Sequence, residues 1–165
     1  MADVLSGAYG TADFESPVMP FDRTSYYEPE FGNSLKRIFM SFTELVSQDT
    51  LPEIKHATDR LEQEFCKEGK RQVNIDPGIL TAERLVLATS KNYSHRIYLG
   101  RGVYADLTLI YRKGSFRPLP WTYPDYASQE VIEFWNGVRK SYLEGLREAR
   151  TQHSSMAEGV SSNPT

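Results

Sequence analysis

The sequence predicts an α+β domain of two layers, a mainly antiparallel sheet packed against two long helices. Three observations carry that expectation. Two stretches repeat apolar residues at helical spacing, the chain between them alternates with a period near two, and Gly100-Arg101-Gly102 joins two alternating runs as a hairpin turn would. Residues 14–150 are read as a single domain. Residues 1–13 are expected to be weakly structured, and residues 151–165 to form a disordered tail, because Ser, Gly, Asn and Pro there replace apolar residues.

Taken in chain order, residues 16–21 and 36–42 are weak strand candidates. The first helix follows: Thr50 and Glu53 have capping-box spacing, Pro52 suits a first turn, and Leu51, Ile54, Ala57, Leu61 and Phe65 form one apolar face before Gly69. Residues 71–76 alternate next, with Val73 and Ile75 against Gln72, Asn74 and Asp76, and Asp76-Pro77-Gly78 reads as a turn. Residues 85–89 are almost continuously apolar, as expected for a central strand covered on both faces. The hairpin comes after it. Setting Leu99 opposite Val103 pairs Tyr98 with Tyr104, Ile97 with Ala105 and Arg96 with Asp106, whereas a slip of one residue mixes charges into an apolar face. The second helix starts near Ser128, has Glu130 in its first turn, and places Val131, Trp135, Val138, Tyr142 and Leu146 on one face. Gly137 and Gly145 each weaken an exposed helix by roughly 1 kcal/mol relative to alanine, so packing is expected to hold it.

Composition narrows the function classes. The 165 residues include 19 basic and 22 acidic side chains, a net charge of -3 without a long single-sign block, so a nucleic-acid partner is not expected. The one cysteine, Cys66, excludes an internal disulfide; it reads as a buried thiol or as a reactive one, and fits a reducing compartment. With no apolar run of membrane-spanning length and no signal-peptide pattern at the start, a cytoplasmic protein without membrane association is expected. A phosphate loop, a dinucleotide-binding Gly-x-Gly-x-x-Gly and a Gly-x-Ser-x-Gly elbow are all missing.

Chemistry is sought on the hairpin. One of its faces carries Arg96, Tyr98, Tyr104, Asp106 and Thr108; the other carries His95, Ile97, Leu99, Val103, Ala105, Leu107 and Leu109. The polar face is either a ligand site or a solvated surface held by an ion pair and a tyrosine pair. His95 is either a capped edge residue or a proton carrier aimed into a cleft. Asn74 and Asp76 share a face at a strand end, where catalytic carboxylates sit, although Asp-Pro-Gly is also ordinary turn chemistry. Asp76, Asp106 and Asp125 can serve as surface charges, or can converge with His95 on a divalent cation; His56, His95 and His153 lack metal-ligand spacing, and no metal or cofactor is assigned. Three prolines and three aromatic residues between Pro118 and Tyr126 make a stiff loop that walls a pocket, docks a partner or locks the last helix.

Several of these stretches, together with others nearer the start, carry a resemblance. Pro20-Phe21-Asp22, Thr24, Tyr26-Tyr27-Glu28-Pro29-Glu30, Gly32, Leu35-Lys36-Arg37, Val73-Asn74-Ile75-Asp76-Pro77-Gly78, Leu85-Val86-Leu87-Ala88-Thr89, Lys91-Asn92, His95-Arg96-Ile97-Tyr98-Leu99-Gly100 and the loop from Pro118 to Tyr126 resemble a prokaryotic family, domain of unknown function family 4416. The resemblance covers roughly residues 14–146 and implies no activity. Some members carry a GTP-binding label, for which this chain has no phosphate loop. Relatives begin with an extra strand and helix, and residues 3–10 resemble only the end of that helix. The resemblance therefore implies a late start, and a sheet short of one strand with an apolar strip left open.

The resulting expectation is a small-ligand or nucleotide-binding domain, with catalysis left open. Asp76, Asp106 and His95 are its candidate catalytic residues. Asn74, Arg96, Tyr104, Trp121, Tyr123 and Asp125 are its candidate ligand-binding residues, with Arg96 holding a small anionic ligand. The alternative is a non-catalytic module that grips a protein partner through Trp121, Tyr123 and Tyr126.

Overall fold

The computed structural model describes residues 1–21 and 35–160. Asp22, Thr24, Tyr26-Tyr27-Glu28-Pro29-Glu30 and Gly32 lie outside the described residues. In chain order come helix α1 (Ala2–Tyr9), strands β1 (Ala12–Glu15), β2 (Met19–Pro20), β3 (Lys36–Arg37) and β4 (Met40–Phe42), helix α2 (Leu51–Glu64), strands β5 (Gly78–Leu80), β6 (Arg84–Thr89), β7 (Arg96–Gly100), β8 (Val103–Arg112) and β9 (Ser115–Pro118), and helix α3 (Gln129–Val160). Strands β1 and β4 pair, as do β2 and β3; the five-stranded main sheet runs β5-β6-β8-β7, with β9 also on β8. Each of these pairings is antiparallel.

The α+β class and the antiparallel sheet agree with the sequence, but the layering differs. Successive strand residues point to opposite faces. On β6, Leu85 and Leu87 join Leu109, Phe116, Val131, Trp135 and Val138 in one core, while Ala88 and Val86 pack with Val103 and Leu51 in another. Helices α3 and α2 therefore cover opposite faces of the sheet, which makes three layers. The unbroken apolar run on β6 is the sequence signal for this, since a strand with one wet face alternates.

The expectation of two long helices is only partly met: α2 has 14 residues and α3 has 32. Thr50 makes no capping bond to α2; its hydroxyl donates to the Ser47 carbonyl at 2.7 Å. The buried face of α2 is Leu51, Pro52, Thr58 and Glu62, rotated from the apolar stripe, and Phe65 is exposed. Ser128 does cap α3, its Oγ accepting from the Val131 amide at 3.4 Å, and Val131, Trp135 and Val138 are buried as their spacing requires. Past residue 150 the helix continues to Val160, where the composition had suggested a disordered tail. Extending an existing helix adds one bond per residue, and no glycine or proline intervenes between Gly145 and Gly159. Residues 1–13 hold α1, none of whose residues is buried, and the start of β1.

Candidate functional site

The site forms where β8 changes partners. On one edge β8 pairs with β7 through residues 103–106 and with β9 through residues 109–112. Against β6 the register shifts at this junction: Leu109 opposes Leu85, Leu107 opposes Val86 and Asp106 opposes Leu87. Such an irregularity turns one stretch of strand relative to the next. Asp106 consequently shares the α3 face with Leu109, although strict alternation sets the two apart. Trp121 and Thr122 reach into the gap: Trp121 Nε1 donates to the Leu107 carbonyl at 2.8 Å, and Thr122 Oγ1 to the Thr108 carbonyl at 2.6 Å. The proline-aromatic loop is thereby fastened across the junction.

Asp106 is the centre of the first half of the site. The expected pairs Arg96–Asp106, Ile97–Ala105 and Tyr98–Tyr104 are present; only the turn end differs, because Gly100 rather than Leu99 opposes Val103. Arg96 Nε lies 2.8 Å from Asp106 Oδ2, and Nη1 donates to the Lys91 carbonyl at 2.9 Å. Nη2 donates to the Tyr123 hydroxyl at 3.4 Å, so all three guanidinium nitrogens are engaged. His95, expected on the opposite face, precedes β7 and lies on the Asp106 side, its Nε2 3.5 Å from Asp106 Oδ2. That nitrogen is buried and has no hydrogen bond. The imidazole stacks on Trp121 with centroids 5.0 Å apart and planes 14° from parallel.

The second half is built on residues 71–77, which form no strand. The buried Glu62 carboxylate takes over their backbone instead, accepting from the Ile75 amide at 2.6 Å and from Arg71 at 2.7 Å. Asp-Pro-Gly does not reverse the chain; it leads into β5, and the Ala88 amide donates to the Pro77 carbonyl at 2.9 Å. Gly78 is required there because a Cβ would stand 2.7 Å from the Val86 carbonyl oxygen. Asn74 Nδ2 donates to Asp76 Oδ1 at 3.0 Å. Arg37 then bridges two carboxylates: Nη2 is 3.4 Å from Asp76 Oδ2, and Nη1 is paired with Asp125.

Tyr126 is buried beside Arg37, whose guanidinium carbon lies 5.7 Å from the centre of the tyrosine ring. Burial pushes its hydroxyl well above the ordinary phenol range; the charge of Arg37 and a hydrogen bond to it oppose this, while Asp76 and Asp106 push it further. The candidate residues Asn74, Asp76, His95, Arg96, Asp106, Trp121, Tyr123 and Asp125 thus gather on one side of the sheet. Tyr104 belongs to the hairpin, its ring 5.2 Å from that of Tyr98. Arg37 and Glu62 complete the arrangement and were not among the candidates, whereas Tyr126, expected to grip a protein partner, is only 4% exposed and packs in the core instead. In the sequence Arg37 stands out only as part of the Leu35-Lys36-Arg37 stretch of the resemblance, and Glu62 carries no signal distinguishing it from an exposed helix residue.

The convergence of Asp76, Asp106, Asp125 and His95 on a cation is not seen. Among the described residues no group of three or more His, Cys, Asp or Glu side chains is placed to hold a metal ion, because arginine takes each of these carboxylates. Two surface grooves, of about 530 and 780 Å³, lie elsewhere, beside His56 and Arg101 and beside Arg112 and Arg117.

An antiparallel α+β fold with a half-buried network of arginine, carboxylate and imidazole groups under an aromatic loop defines the class of protein. The chain belongs to the family described as Domain of unknown function (DUF4416), whose model matches residues 1–142. No curated protein and no solved structure matches it. No helix among the described residues is long and apolar enough to cross a membrane.

Proposed function

We propose that the chain binds a small polar ligand at the sheet face bounded by Asp76, His95, Asp106, Trp121 and Tyr123. The observation that carries this reading is the imidazole of His95, whose buried Nε2 has no hydrogen bond and lies 3.5 Å from Asp106. An unpaired buried polar group costs about 1–3 kcal/mol, which a hydrogen bond from a bound ligand would offset at His95. Trp135 Nε1 is also buried and unpaired, but it sits in the apolar core beneath α3. His95 beside Asp106 supports proton transfer to or from a bound ligand. Arg96, with each nitrogen engaged and its side chain 6% exposed, acts as a positioning residue, which counts against an anionic ligand there. Two guanidinium groups face three carboxylates, so a ligand that donates hydrogen bonds or carries positive charge fits better. Residues 14–150 contain the whole site and are proposed as the functional unit. The single cysteine fits the reducing cytoplasm of a prokaryote, where we place the protein.

Native mass spectrometry of the purified protein, scanned for a co-purified small molecule, supplies the ligand, and a thermal-shift assay with that compound supplies the test. The midpoint should rise in the parent protein and stay unchanged in His95→Gln and Asp76→Asn. Retention of the shift in both variants would refute the site. A second reading rests on exposure: Tyr93, Tyr98, Trp121 and Tyr123 are 65%, 59%, 39% and 53% exposed, as suits a partner-binding surface. It would be favoured if Trp121→Ala and Tyr123→Ala abolished capture of a partner protein while no small molecule stabilised the fold.

A further inference from the structure

We infer that the sheet face around the β8–β9 turn docks an acidic protein segment. The register places Ile110 between Arg84 on β6 and Arg117 on β9. Arg112, two residues along β8, projects on the same side as Ile110, and Lys113 occupies the turn. This is the face opposite Leu85 and Leu109, covered by α2 only at its other end, around Leu51, Ala88 and Val103. At the uncovered end Ile110, Arg112, Lys113, Arg117, Pro118 and Leu119 line a groove of about 780 Å³.

The cations of this groove are unneutralised. Among the described residues no carboxylate lies within 4.0 Å of Arg84, Arg112, Lys113 or Arg117. Arg84 reaches Gln48 Oε1 at 3.5 Å, and Glu83 beside it accepts from the Thr81 hydroxyl at 2.8 Å. On a chain of net charge -3, this patch reverses the average field and selects a negative partner.

The apolar floor identifies which one. Ile110, Pro118 and Leu119 offer aliphatic contact, whereas no aromatic ring lines the groove for a nucleobase to stack on. Arg84 and Arg117 stand two strand spacings apart, about 10 Å, a reach that suits two or three carboxylates interleaved with apolar side chains. A longer phosphate track would also meet the net negative charge of the remaining surface.

The test is fluorescence anisotropy with a short labelled peptide of alternating glutamate and leucine. The parent protein should bind it, and Arg112→Glu combined with Arg117→Glu should weaken binding at least about tenfold, as should raised salt. The milder Arg117→Gln, on an exposed strand end, should weaken it by a smaller factor with an unchanged circular dichroism spectrum. The inference is overturned if the peptide does not bind, if the well-folded variants bind it equally, or if a single-stranded oligonucleotide of matched charge binds more tightly.

Discussion

Arg96 and Asp106 meet across β7 and β8 with 2.8 Å between Nε and Oδ2, and their side chains are 6% and 7% exposed. Removing one partner leaves a buried charge uncompensated, which costs about 3–5 kcal/mol in comparable pairs. Asp106→Ala should therefore lower the urea midpoint strongly, and Arg96→Met combined with Asp106→Leu should recover most of the loss. Equal destabilisation in the single and double variants would show that the pair is not the unit that matters.

The Glu62 carboxylate holds the segment carrying Asn74 and Asp76 by accepting from Ile75 and Arg71. Glu62→Ala should destabilise the fold by about 3 kcal/mol, since it strands a buried amide and removes a charge-assisted bond. Amide exchange at Ile75 should accelerate more than exchange in β6. If protection at Ile75 persists, another group holds the segment.

Tyr126 predicts an alkaline limit to stability. Burial raises its folded-state pKa above the ordinary 10.0, so the folded protein holds the proton more tightly than the unfolded chain. The resulting stability is complete below the unfolded value and is lost as pH rises above it. Denaturant midpoints should fall from about pH 10 upward, and Tyr126→Phe should flatten that decline. Tyr9, also raised by burial, supplies the control: Tyr9→Phe should change the curve less, because Tyr9 is only partly buried.

Thr122 accepts from the Leu119 amide at 2.8 Å and donates to the Thr108 carbonyl at 2.6 Å. Thr122→Val keeps the shape and removes both bonds, for an expected loss of about 2 kcal/mol. Because the same loop carries Trp121, the loss should also shift tryptophan fluorescence. An unchanged emission spectrum would mean that the Trp121–His95 stack holds the loop without Thr122.

Local chemistry explains why some features were legible beforehand. The Gly-Arg-Gly turn and the matching charges of Arg96 and Asp106 select the hairpin register from neighbouring residues alone. The face of α3 followed from spacing because Val131, Trp135 and Val138 are buried by one helix turning against one sheet. Three other features depend on partners distant in sequence. Residues 71–76 alternate like a strand yet are tied to Glu62, the irregularity in β8 appears only in its pairing with β6, and Arg37 finds Asp125 across 88 positions.

By itself, the sequence determined the α+β class, the antiparallel hairpin and which residue types were available for a polar site, since these follow from periodicity and turn conformation over a few neighbours. Tertiary structure alone decided that α2 and α3 cover opposite faces, that His95 and Leu109 lie on the Asp106 side, and that Arg37 bridges Asp76 and Asp125. Side-chain direction depends on strand phase, and phase is set jointly by every strand and loop that bonds to β8.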